Sequence, residues 1–178
     1  MFDKMKREQL QTTIEDAFRA FQQPGCTDDL HSGGIDGQYV IKNYFGLTRE
    51  QVAARHRQGS YYIEDFSYMQ PAAVGYYLPA IMSYMMAHPD DDETWIYLGG
   101  YLAPRTNGRI WWNLEPLGVR AYRAIGAWAE GLAEEFVERD ADLEAIRTAD
   151  TIAKHYANAE PGRAPNAGSD DAPAASET

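Results

Sequence analysis

The chain is poor in several features that would have named a function directly. It has a single cysteine, Cys26, so no disulfide can close within it, and such usage fits a reducing compartment. Asp28 and Asp29 lie close by, the wrong company for a nucleophilic thiolate, so Cys26 reads as a structural or incidental thiol. No stretch approaches the ~20 apolar residues of a membrane span. The charged opening Met1 to Arg7 is not followed by the apolar run of a signal peptide. A cytoplasmic location is the expectation. Basic residues are also scarce: 16 Lys and Arg stand against 27 Asp and Glu, a net charge of −11. A surface of that sign repels phosphate backbones and anionic membranes. Direct binding of nucleic acid or membrane is therefore disfavoured, and a basic protein is the partner that charge allows.

Signatures of chemistry are missing as well. The histidines are His31, His56, His88 and His155, and none is three or four residues from another, as a helical metal-binding pair would be. His88 with Asp90, Asp91 and Asp92 is dense in ligand atoms but lacks the alternation of a calcium loop. The glycine-rich run from Ser32 to Gly37 has neither the lysine of a phosphate loop nor the dinucleotide glycine spacing. It reads as a flexible loop. There is no GxSxG nucleophile elbow. No cofactor, metal or catalytic residue is expected on this reading, and the balance leans against an enzyme.

What is present suits one domain. The 178 residues are 44% hydrophobic and 12% aromatic, with Tyr and Trp carrying much of the apolar load. Such rings bury large areas but need partners for their OH and NH groups, so several belong at the edge of a core or at an interface. Apolar residues at Leu10, Ile14, Ala17, Phe18 and Phe21 keep the 3.6 period and predict a helix over about 3–22, stopped by Pro24-Gly25. Thr48 to Gln51 has the form of a capping box and predicts a short helix from about Arg49 to Arg57. Pro71 suits a first helical position. The segment 72–87 is apolar on nearly all sides and predicts the central buried helix, which Pro79 should kink or split.

Thr94 to Leu102 should be helical. Leu117, Ala121, Ile125, Trp128, Leu132 and Phe136 predict a long amphipathic helix opening at Pro116, and Asp140 is placed to cap a final helix. The result is a mainly α, compact single-domain bundle of about six helices over residues 1–158, with at most one small β-hairpin drawn from 39–45, 61–63 and 109–112. The tail 159–178, made of Pro, Gly, Ala, Ser, Asn and Asp, is expected to be disordered.

Two groups of residues are candidates for function. Trp111 and Trp112 are neighbours whose side chains point in different directions, so one is expected to be free to anchor an interface. With the helical acids Glu130, Glu134, Glu135 and Glu138 they form the candidate partner-binding set. Tyr61, Tyr62, Glu64, Asp65 and Tyr68 form a candidate polar-aromatic site, in which a carboxylate among rings could be held protonated or could simply bond the tyrosine hydroxyls.

The stretch Phe66 to Ala80 ends in Tyr76-Tyr77-Leu78-Pro79-Ala80. It resembles the YYLPA box of a bacterial family of unknown function, of the form "fLsPeAfrYYLPAym". Ala17-Phe18 and Pro24 match that family's opening helix, and Leu117 to Phe136 its late amphipathic helix. The resemblance covers residues 8–137 and departs at Glu115-Pro116-Leu117, where a polar start is the family's pattern. It implies a compact bacterial helical domain and carries over no catalytic residue. Small size, acidity and the aromatic content lead to a protein-binding module, an immunity or antitoxin-like inhibitor of a basic partner. Alternatives are a DNA-mimic inhibitor from a phage or mobile element, and an enzyme using the aromatic-lined carboxylates.

Overall fold

The computed structural model describes residues 4–34, 36–56, 63–105, 110, 112 and 114–158. The tail from 159 onward, Tyr61, Tyr62 and Trp111 lie outside the described residues. Those that are described form a mainly α fold of eight α-helices without a strand: α1 Lys4–Ala17, α2 Thr27–Leu30, α3 Gly37–Tyr44, α4 Arg49–His56, α5 Pro71–Ala87, α6 Asp92–Leu102, α7 Gly118–Glu138 and α8 Leu143–Ala157. Two 3-10 turns, Glu64–Tyr68 and Glu115–Leu117, join them. No helix among the described residues is long and apolar enough to cross a membrane.

Helix α5 is the axis of the core, as its all-round apolar sequence predicts. Ala73, Tyr77, Leu78, Ile81, Met82 and Met85 are all sealed from solvent. Pro79 lies inside it, yet the helix is not split. Neighbours tie it in place: Tyr77 donates its hydroxyl to the Tyr44 carbonyl at 2.8 Å, and Trp128 of α7 donates Nε1 to the Met82 carbonyl at 3.0 Å.

Helix α1 stops at Ala17 rather than near Gln22, for two local reasons. Arg49 donates to the Phe18 carbonyl at 3.1 Å and to the Tyr76 carbonyl at 2.6 Å, ending the first helix against the fifth. Phe21 then leaves the helical path and lays its ring over Gly75, where a Cβ would come within 2.5 Å of it. The capping box at α4 forms as expected, with Thr48 N–H donating to Gln51 Oε1 at 2.8 Å and Gln51 N–H to Thr48 Oγ1 at 3.3 Å.

Among the described residues no hairpin is found, and residues 61, 62, 109 and 111 of its candidate segments lie outside them. Residues 39–44 belong to helix α3, Ile63 leads into a 3-10 turn, and the pairing seen is an isolated bridge between His31 and Met69. An apolar run of four or five residues suits a buried helix turn as well as a strand, and here tertiary packing chose the helix.

Asp140 is also reassigned. It ends α7 with a left-handed φ of 56°, while Ala141 N–H bonds the Phe136 carbonyl at 2.9 Å and Asp140 N–H bonds Val137 at 3.2 Å. That pair of bonds is a Schellman closure. The cap of α8 is Asp142, which accepts from Glu144 N–H at 2.7 Å. The α7–α8 pair packs backbone against backbone: a Cβ on Gly126 would meet the Ala157 backbone nitrogen at 3.0 Å and the Ala153 carbonyl at 3.3 Å.

Candidate functional site: a tyrosine–carboxylate face

The 3-10 turn Glu64–Tyr68 alternates between core and surface. Phe66 is buried, Asp65 is 8% exposed, and Glu64, Ser67 and Tyr68 face outward. Such a tight turn sends successive side chains in different directions, so Glu64 and Asp65 do not act together. Asp65 accepts a hydrogen bond from Asn43 Nδ2 of α3 at 2.6 Å. Burial pushes its carboxyl above the ordinary range, and the bond from Asn43 only partly offsets this.

Helix α6 completes the outer surface. Glu93, Tyr97 and Tyr101 recur every fourth residue, which places them in one row along the helix. Tyr101 reaches the 3-10 turn: its hydroxyl bonds the side chain of Ser67, and its phenol feels Glu64, Tyr68 and Tyr97. Burial and, second, the Glu64 carboxylate raise its pKa. Tyr68 is 38% exposed and Tyr97 37%, large fractions for rings of this size.

Beneath them lies a stack. Trp112 is parallel to Tyr101, with centroids 5.1 Å apart, and on its other side meets Phe66 at 5.1 Å. Its Nε1 donates to Ser67 Oγ at 3.1 Å. Trp112 is only 2% exposed, so it is the floor of this face and not a surface anchor.

The helical acids are divided in the same way. Glu130, Glu134 and Glu138 are exposed at four-residue intervals on α7, but Glu135 is 3% exposed and belongs to the interior. Glu134 is paired with Lys6 of α1, so part of the row's charge is neutralised within the fold.

A second polar cluster was not foreseen. Asp91 caps α6, accepting from Thr94 N–H at 3.0 Å, Thr94 Oγ1 at 2.7 Å and the Tyr84 hydroxyl at 2.6 Å. Burial alone would raise its carboxyl, but these bonds outweigh it and hold it below the ordinary range. The Tyr84 ring lies between two imidazoles, 5.9 Å from His56 and 4.7 Å from His88. Burial pushes His56 down to about 4 despite the attraction of Asp91, so it is neutral at pH 7. Nothing in the spacing of residues 56, 84 and 91 announces this cluster, because three separate elements supply it. Among the described residues no three His, Cys, Asp or Glu side chains gather as a metal-ligand set.

No protein-family model, curated protein or solved structure matches the chain.

Proposed function

We infer that the chain is a small acidic protein-binding module, of the immunity or antitoxin-like inhibitor kind, which receives basic side chains of a partner on its tyrosine–carboxylate face. The observation that carries this reading is the gathering of Glu64 and the exposed Tyr68 and Tyr97 about half-buried Tyr101. Tyrosine faces attract Lys and Arg through the ring quadrupole, and a nearby carboxylate completes the site with a charge-assisted bond. Tyrosine is also enriched among residues that dominate interface energies. The net charge of −11 adds long-range steering toward a positive partner.

The test is affinity capture of the full chain from its native cell at low and high salt, repeated with Tyr68→Ala/Tyr97→Ala. A basic protein retained at low salt, weakened by salt and lost with the double variant while its circular dichroism is unchanged, is the expected result. A blank capture, or capture indifferent to the double variant, would overturn the assignment of this face.

A further inference from the structure

Helix α6 is turned so that Thr94, Trp95, Leu98, Gly99 and Leu102 are buried. Packing on that side is tight: a Cβ on Gly99 would meet Thr148 Cγ2 of α8 at 3.1 Å. The opposite side carries Glu93, Ile96, Tyr97 and Gly100, all exposed. Ile96 is 69% exposed and stands beside Tyr97. Gly100 is open as well. Apart from its chain neighbours and its own helix backbone, a Cβ there would meet no atom within 4 Å among the described residues. Glycine weakens an exposed helix interior relative to alanine, so neither packing nor propensity accounts for its place.

These four positions stand at i, i+3, i+4 and i+7. On a helix surface, residues so spaced frame the hole that receives one side chain of a facing helix. Here Ile96 and Tyr97 are the apolar walls, Gly100 leaves one end open, and Glu93 sets a carboxylate at the other end. Charge decides which helix fits. Glu93 and, near Tyr101, Glu64 place carboxylates beside the apolar surface. A second copy of the chain would bring the same acids and a further net charge of −11, and would be repelled. A helix that carries Lys or Arg beside an apolar row matches both the hole and its charge.

We propose that the outer face of α6 receives an amphipathic basic helix of the partner, with one apolar side chain seated among Glu93, Ile96, Tyr97 and Gly100 and flanking cations turned toward Glu93 and Glu64. The proposal rests on the reading of the tyrosine–carboxylate face as a protein-binding surface, and it adds the shape of what binds there.

The experiment is a titration of the ¹⁵N-labelled full chain, followed by nuclear magnetic resonance. The probe is a synthetic peptide of about 20 residues with Leu and Lys at helical spacing. The control is the same peptide with prolines through its centre, which cannot form the helix. The helical peptide should move the amides of Ile96, Tyr97 and Gly100 saturably and bind at least about tenfold more tightly than the control. Gly100→Leu fills the hole at a position with room for the side chain, and Ile96→Ser removes a wall at an exposed one. Each should weaken the helical peptide at least about tenfold with circular dichroism unchanged. No binding, shifts confined to other elements, or binding indifferent to both variants overturns the proposal. So does movement of the same amides with concentration in the chain alone, which makes the occupant a second copy. Equal binding of the two peptides overturns it too. If that equal binding is lost with Tyr68→Ala/Tyr97→Ala, the tyrosine–carboxylate face still stands, so the two readings fail separately.

Discussion

The α7–α8 pair and the tyrosine–carboxylate face are built on opposite plans. In the pair, small residues let two backbones approach until Gly126 has no room for a methyl, and Trp128, Leu132 and Phe136 fill the space behind. On the face, a stack of rings runs outward from buried Phe66 through Trp112 to half-buried Tyr101, and Tyr68 and Tyr97 nearby are each more than a third exposed. The first arrangement spends its side chains on the fold. The second leaves aromatic surface unspent, and that difference is why this face, and not the helix pair, is the proposed binding place.

The contrast breaks most visibly under Trp128→Ala. The indole is fully buried and its N–H is bonded to Met82, so its loss leaves a cavity and removes a hydrogen bond between α7 and α5. The expected cost is about 3–5 kcal/mol, read from urea denaturation. Partner affinity, measured below the unfolding midpoint, should not change. A loss of affinity at unchanged fold would mean that the two regions are not separate.

A loss of about 3 kcal/mol is expected from acid, and it belongs to neither region. His56 titrates near 4 when folded, against about 6.5 in an unfolded chain. The unfolded chain therefore takes up the proton first as pH falls. The contribution of the neutral ring is intact above about pH 6.5 and is lost progressively down to about pH 4. Asp65, whose raised carboxyl works in the opposite sense, is common to wild type and His56→Phe, so the difference between the two chains isolates the imidazole. His56→Phe should flatten the acid limb of a stability–pH curve. An unchanged limb would show that His56 is not the group that charges.

Tyr97→Ala tests the other side of the comparison. Its exposure predicts a stability change below about 1 kcal/mol. Partner affinity should fall at least about tenfold, the signature of a residue whose ring is used only in the complex. Glu64→Gln should mainly weaken the salt dependence.

How much of this was legible in the sequence follows the same division. Helix α7 was readable because its four-residue repeat is set by one face packed on one core, and local periodicity carries that information. The capping box at Thr48 and the first-turn place of Pro71 are also local, and both stand as read. Residues 39–44 were open between helix and strand because a short apolar run has no period to separate the two. Glu135 was misplaced for a different reason: residue type argues for surface, but its burial is decided by tertiary packing that no local pattern reports. Trp112 is the buried member of its pair, and Trp111 lies outside the described residues. Tyr97 and Tyr101 carried a visible signal in their spacing of four. Glu64 and Tyr68 were named from their own segment; what spacing could not supply was their meeting with Tyr97 and Tyr101, across the whole of helix α5.

The smallest effect concerns the joint of the α7–α8 pair. Asp140 holds a left-handed φ of 56° at the position where helices most often place glycine. An L residue there is strained by its Cβ, and glycine is not. The Asp140 side chain is exposed, and its backbone N–H, which Asp140→Gly retains, makes the closing bond to Val137. The substitution should therefore stabilise the fold by up to about 1 kcal/mol, as a rise in melting temperature with no change at the tyrosine face. Glycine also widens the unfolded ensemble, which works against the gain. A net loss would mean that this entropy outweighs the relieved strain, and that the turn between α7 and α8 is held by its two Schellman bonds whatever residue stands at 140.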